Sequence, residues 1–331
     1  MRKGFFAPFF VILICSLQIS LSAQEMTLVR PDVIRVNVMN DTIFRYMVNT
    51  NQIYECGLDT LPQMKFWRKI MRMSPDTGLV SLAMDRRIFC SMTSVAWDNL
   101  GEAGQENFRD SLRKKNLLND SAQVLFTKGK NDFYDPKAVI PQIDRAIPIF
   151  VQQGVDPFYA QAILLIESPG KTEKSGAGAN GAFQLMKSVA IQMGLKVNKT
   201  VDERKDFDKS AWAASRLLQT VCIPYAKSML DKRGLCYNEN DLWFRLLVMH
   251  VYHAGAGNVE KALVVINPTE GGIELIKTLW HTTAGQFGRS SQTYSQVAVA
   301  ALLELDEVYG RTDEIRKTCL TPQLFENTTP H

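Results

Sequence analysis

Glu167 closes an apolar run, Phe158 to Ile166 (FYAQAILLI), and stands just before a helix break at Pro169-Gly170. A carboxyl held at such an end is taken out of water. That disfavours its charged form and raises its pKa. A raised pKa keeps a carboxylic acid protonated near neutral pH, where it can act as a general acid. A poor leaving oxygen, such as that of a glycosidic bond, needs that proton. By itself such a residue is more often an ordinary surface glutamate, because charged side chains are mostly exposed. The case for chemistry depends on the residues further along the chain.

Ser175 to Gly181 (SGAGANG) is a loop of small residues running straight into Ala182-Phe183-Gln184-Leu185-Met186. Glycine and alanine let a backbone approach a ligand closely. In that setting Ser175, Gln184 and the main chain are candidates for binding sugar hydroxyls and N-acetyl groups. A flexible linker is seldom followed at once by an apolar run. Further on, Val251 to Val259 (VYHAGAGNV) carries Tyr252, a flat aromatic face on which a sugar can stack or which can serve as a core residue.

The elements that must position these groups are mainly helical beyond residue 137. Asp156-Pro157 is a helix start, with an N-cap acceptor followed by proline at the first helical position. Helices are expected at Val189–Met193, at Lys209–Leu230 with Asp208 as cap, at Asp241–His253 and at Gln292–Tyr309, with short ones at Val259–Val265 and Ile273–Leu279. Before residue 137 the patterns are mixed. Val33–Met39 and Gln123–Phe126 read as strands, Leu61–Met73 and Glu102–Leu118 as helices, and Lys128–Asp135 (KGKNDFYD) as a polar linker. The fold class expected is mainly α, a helical domain preceded by a mixed α/β N-terminal region.

The chain of 331 residues has an apolar share of 46%, which excludes wholesale disorder. Met1-Arg2-Lys3, the apolar run Phe5 to Leu17 and the small residues Ser20, Ser22 and Ala23 form the three parts of a secretory signal peptide, residues 1–23. The run is short for a membrane span. An exported protein, periplasmic or associated with the outer membrane, is expected. Losing Arg2 and Lys3 takes the net charge from +4 to +2, too weak a balance for nucleic-acid binding. Cys56, Cys90, Cys222, Cys236 and Cys319 remain. Cys222 and Cys236 are close enough to staple a helix to its following loop, and buried free thiols fit equally well. No Cys-x-x-Cys or His-rich spacing suggests a metal, and no cofactor is expected.

Taken in order, Glu167-Ser168, Ser175, Gly178, Gly181, Gln184 and Met186, then Tyr252 with Ala254-Gly255 and Gly257-Asn258-Val259, resemble the lytic transglycosylases of goose-lysozyme-like type. Val201-Asp202-Glu203-Arg204 with Asp206 and Ser210 is most similar to the membrane-bound lytic transglycosylase D subgroup. The resemblance covers about residues 140 to 300. It implies a lysozyme-like helical fold and peptidoglycan glycan strands as substrate, with cleavage of the MurNAc–GlcNAc β-1,4 bond. By resemblance Glu167 is the catalytic acid and then base, and Ser175, Gln184, Met186, Tyr252, His253 and Tyr294 bind substrate. The product is a 1,6-anhydro end. Several positions depart from the family. Gly170 stands where a bulky residue is usual, and the stretch from Glu167 to Ser175 is one residue short. His253 replaces asparagine, Lys187 replaces proline, and Ser290-Ser291 replace Glu-Thr ahead of Tyr294.

The resulting organisation is a signal peptide over 1–23, an N-terminal region over 24–137, a catalytic domain over 138–310 and a tail over 311–331. The N-terminal region has no motif that assigns a role, and docking to cell-wall machinery is one expectation for it. Two other functions fit the same residues. One is a hydrolytic muramidase using a second carboxylate, Glu173, Asp202 or Glu203, to activate water. The other is a binding module that has lost activity.

Overall fold

A computed structural model of the protein describes residues 32–37, 44–167 and 178–308. Residues 1–23, Pro169, Gly170, Glu173, Ser175, Cys319 and the tail 311–331 lie outside the described residues.

The described chain is mainly helical with two small antiparallel sheets. Strands β1 (Val33–Asn37) and β2 (Phe44–Val48) pair with each other. Helices α1 (Asn51–Glu55) and α2 (Pro62–Arg72) follow. The second sheet has the order β4-β3-β5, from β3 (Thr77–Leu82), β4 (Ile88–Thr93) and β5 (Val124–Lys128). Between its last two strands lie α3 (Ser94–Asn99) and α4 (Gly101–Lys115). The remainder is helical: α5 (Pro136–Gln152), α6 (Phe158–Glu167), α7 (Lys187–Gln192), α8 (Phe207–Leu217), α9 (Ile223–Asp231), α10 (Leu242–Ala254), α11 (Ala256–Ile266), α12 (Ile273–Leu279) and α13 (Arg289–Val308).

Two helices form the centre. Every residue from Phe158 to Ile166 in α6 is buried, and so is every residue from Leu242 to Val251 in α10. A helix that is apolar on all sides must be covered on all sides. The long α13 packs on both, and α2 packs on the outer side of α13. One continuous core therefore runs from Val36 through the helices to Leu305. A smaller cluster of Val80, Trp97 and Val124 holds α3 and α4 against the three-stranded sheet, with Trp97 stacked on Phe126.

Polar contacts join the first elements to the helical part. The amide of buried Gln161 on α6 pairs with Val48 as a strand would, accepting from its N–H and donating to its carbonyl, both at 2.9 Å. Trp67 Nε1 donates to Gln296 at 3.1 Å, and Arg68 and Arg72 each reach buried Glu304 at 2.6 Å. Tyr54 donates to Asp306 at 2.8 Å.

Several local expectations are corrected or refined. Lys128–Asp135 is not a free linker. Gly129 N–H donates to the Thr77 carbonyl, Lys130 N–H to Ile70 and Asn131 N–H to Met73. A side chain at Gly129 would sit 2.3 Å from the Met73 carbonyl oxygen. The helix expected over Lys209–Leu230 is present as an unbroken helical run, refined by one wider turn at Leu218–Cys222 between α8 and α9. Pro224, which has no N–H to give, sits at the start of α9. The cap of α8 is Asp206, which accepts from Lys209 N–H, whereas Asp208 forms a two-point pair with Arg145. Cys222 and Cys236 form no staple: Cys56, Cys90, Cys222 and Cys236 are free thiols.

Candidate active site

Glu167 is the last residue of α6, the end of the most buried helix. Its Oε1 accepts a hydrogen bond from the Tyr294 hydroxyl at 2.8 Å. Burial pushes its pKa from 4.5 to about 7, while the Tyr294 bond pulls the other way and loses. The rise favours the neutral acid by at most about 3 kcal/mol. The carboxyl is thus divided between its two states near neutral pH, which suits a group that must first give a proton and later take one.

Three tyrosines interact with it, Tyr294 through its hydroxyl bond and Tyr252 and Tyr134 through the Glu167 charge. Tyr294 comes from α13, Tyr252 from α10 and Tyr134 from the pinned segment ahead of α5. Burial first, and the charge of Glu167 second, raise the pKa of each hydroxyl, so all three remain neutral donors. Tyr134 was invisible to sequence reasoning because it lies in a stretch of turn-forming residues with no periodicity. Tyr252 also braces the site, since its hydroxyl donates to the Phe183 carbonyl at 2.7 Å and ties α10 to the small-residue loop.

His253, on the exposed side of the α10 terminus, stacks on Tyr294 with ring centres 4.2 Å apart. Behind that pair runs a buried chain. Trp280 Nε1 donates to Ser295 Oγ at 2.8 Å, and Ser295 Oγ lies 2.9 Å from His250 Nε2. Indole can only donate, so Ser295 Oγ accepts from Trp280 and shares a second hydrogen bond with His250. Burial drives the His250 pKa down to about 3. A histidine that is neutral at neutral pH therefore bonds Ser295, the residue after Tyr294.

The described part of the small-residue loop, from Gly178, is clamped by Arg204. Asn180 and Leu185 exchange N–H to carbonyl bonds at 3.2 Å. Buried Arg204 donates through Nη1 to the carbonyls of Gly178 (2.9 Å) and Leu185 (3.0 Å). Its other nitrogens grip both oxygens of Asp202 at 2.8 Å, and Asn180 donates to the same carboxylate at 2.9 Å. Gly181 passes this clamp at φ 80°, where an added side chain would fall 1.8 Å from the Arg204 carbonyl oxygen. No residue but glycine fits there. Gln184 also has a positive φ, 46°, and its side chain donates to the Gly181 carbonyl at 3.0 Å. Met186 follows, 44% exposed, as the residue that leads into α7.

Of the residues singled out in the sequence, Tyr294 and Tyr252 interact with the Glu167 carboxyl, and His253 joins them only by stacking on Tyr294. Gln184 and Met186 belong to the loop that Tyr252 holds, and Ser175 is outside the described residues. Asp202 and Glu203 are engaged elsewhere. Arg204, above all, holds Asp202 well below the usual carboxylate range. Glu203 accepts from Lys196 N–H and from Lys209, which lower its pKa. Neither is poised to be a base.

Tyr294→Phe removes the one bond among the described residues that favours the ionised form of Glu167. The alkaline limb of the pH–rate profile is expected to move upward by roughly half to one pH unit, read from initial rates on purified cell walls. An unmoved limb would mean that the hydroxyl does not set the acid.

Residues 149–265 match the family model described as Transglycosylase SLT domain. The span starts within α5 and ends within α11. It contains Glu167, the loop, the Arg204 clamp, Tyr252 and His253, and it stops before Tyr294. The match supports a lysozyme-like helical fold, peptidoglycan as substrate and lytic transglycosylase activity in general. No curated protein matches the chain.

Proposed function

We propose that the protein is a peptidoglycan lytic transglycosylase, akin to the membrane-bound lytic transglycosylase D subgroup, with Glu167 as its single acid and base. The observation that carries this reading is a carboxyl whose pKa is raised by burial to about 7 and which accepts a bond from Tyr294. Glu167 gives its proton to the glycosidic oxygen between MurNAc and GlcNAc as the C1–O bond breaks. The resulting carboxylate, steadied by the Tyr294 hydroxyl, takes the proton of the MurNAc 6-hydroxyl as that oxygen bonds to C1. Glu167 ends protonated and a 1,6-anhydro ring is formed. No water enters the balance, so no second carboxylate is needed.

Two of the three carboxylates of the hydrolytic alternative, Asp202 and Glu203, are held in ion pairs, and the third, Glu173, lies outside the described residues. Digestion in heavy-oxygen water separates the readings. Transglycosylation leaves the products unlabelled, whereas a muramidase places one heavy oxygen on each new reducing end. A binding module that has lost activity releases nothing.

For residues 1–23 we propose a signal peptide that exports the chain to the periplasm or to the outer membrane. Residues 24–137, 138–310 and 311–331 would then be the N-terminal region, the catalytic domain and the tail. Docking of the N-terminal region to cell-wall machinery is part of the same proposal.

A further inference from the structure

Arg86 stands out among the charged groups that catalysis leaves unused. It is 4% exposed, sits at φ 61° in the turn between β3 and β4, and lies over Trp67 and Phe66 at 5.0 and 5.2 Å from the ring centres. Its Nε has no hydrogen-bond partner, and among the described residues it forms no ion pair. Buried arginines are normally paired with carboxylates, because an uncompensated buried charge is costly. Here the charged neighbour is another cation, Arg289. Burial and Arg289 together lower the Arg86 pKa to about 10, which leaves it charged at neutral pH.

The two arginines meet by construction. Arg289 Nη2 donates to the Gln123 side chain at 2.6 Å, and the Gln123 carbonyl accepts from Ala83 N–H at 2.8 Å, at the base of the turn that carries Arg86. From the other side, Trp67 under Arg86 bonds Gln296, two turns along α13 from Arg289. Arg289 is the first residue of that 20-residue helix, whose first turn contains no acid. The positive end of the helix dipole adds to both side chains. Ser290-Ser291 stand where the family resemblance has Glu-Thr, so an anionic side chain that would compete at this spot is missing.

We propose that Arg86, Arg289 and the first-turn amides of α13 form a binding site for a carboxylate of the peptide stem carried by the glycan substrate. This rests on the reading of the protein as a peptidoglycan-cleaving enzyme. Position selects the ligand. Tyr294, which bonds Glu167, lies five residues further along the same helix, about 8 Å of axial rise from Arg289. The two side chains leave the helix about 140° apart, so a peptide attached to a sugar at Glu167 must run round the helix end, a path that several extended residues at about 3.3 Å each cover, and its free carboxylates are the anions such a substrate brings. The first, mixed part of the chain thereby gains a role in substrate selection.

The test uses the full chain with Glu167→Gln, so that ligands bind without being cut. Its affinity is measured for soluble glycan chains with intact stems, with stems removed, and with stem carboxylates converted to amides. Intact stems are expected to bind about tenfold tighter than either other form, the effect of one charge-assisted contact. Adding Arg289→Gln, a change at an exposed residue, is expected to bring that ratio to about one. Arg86→Met provides a second variant on the same measurement, with the same expected loss of preference. Equal binding of all three ligands before any arginine is changed would overturn the carboxylate site and leave the glycan reading intact. A preference that survives Arg289→Gln would also overturn it. Binding of none of the three would overturn the glycan reading itself.

Discussion

Replacing Glu167 with glutamine is expected to slow the release of soluble fragments from cell walls by about 10²- to 10⁴-fold, the usual worth of a positioned general acid and base. Glutamine keeps the size and the Tyr294 contact but has no proton to give. The same substitution is expected to raise stability, in a way that depends on pH. In the folded protein Glu167 titrates near 7, above its ordinary value of 4.5. Between those values the folded chain holds a proton that the unfolded chain has released. Stability therefore falls as pH rises through the window. Above it the wild type carries a penalty of at most about 3 kcal/mol, which glutamine avoids. Denaturant midpoints near pH 8 should favour the variant, and near pH 4 the two proteins should coincide. A variant that is slow but no more stable at alkaline pH would mean that Glu167 is not desolvated.

Arg204→Ala is expected to have the largest effect on stability, a loss of about 3–5 kcal/mol. The change takes the guanidinium from Asp202, which keeps only the Asn180 and backbone bonds, and removes the donor shared by the Gly178 and Leu185 carbonyls. Without the clamp, the loop keeps only the Asn180–Leu185 pair and the Tyr252 bond to Phe183, and activity should fall even at temperatures where the variant is folded. The ion pair also makes an acid prediction. Because Arg204 depresses the Asp202 pKa, the pair's contribution is complete above the ordinary aspartate value and fades as pH falls through the depressed one. The difference between wild type and variant in thermal melts should therefore shrink in strong acid. An undiminished loss there, or a loss below about 1 kcal/mol at neutral pH, would assign the clamp a minor role.

Much of the helical part was legible because its signals are local. Asp156-Pro157 marks the start of α6, and Ile273–Leu279 is a helix over the whole expected span. The strands were harder. β3 is buried on both faces, so it reads as an apolar run, and β2 and β4 lack a clean alternation. Asp206 and Asp208 are equivalent as caps in the sequence, and only the position of Arg145 on α5 separates them. At the site, Glu167 and Tyr252 could be found from their neighbours in the chain. The meeting of Arg86 with Arg289 joins distant parts of the chain, which no local pattern encodes. Tyr134 reaches the surroundings of Glu167 from a turn whose polar composition resembles any loop. Glu203 and Asp202, candidates for a second catalytic acid, show the converse. Their chemistry was plausible in the sequence; Asp202 is spent on the loop clamp and Glu203 on Lys196 N–H and Lys209.

The most direct test of the central claim is mass spectrometry of the muropeptides released from purified sacculi by the full chain and by its Glu167→Gln variant. Fragments ending in 1,6-anhydroMurNAc from the wild type, absent with the variant, are the predicted result. Reducing ends from the wild type, or anhydro ends from both proteins, would contradict it.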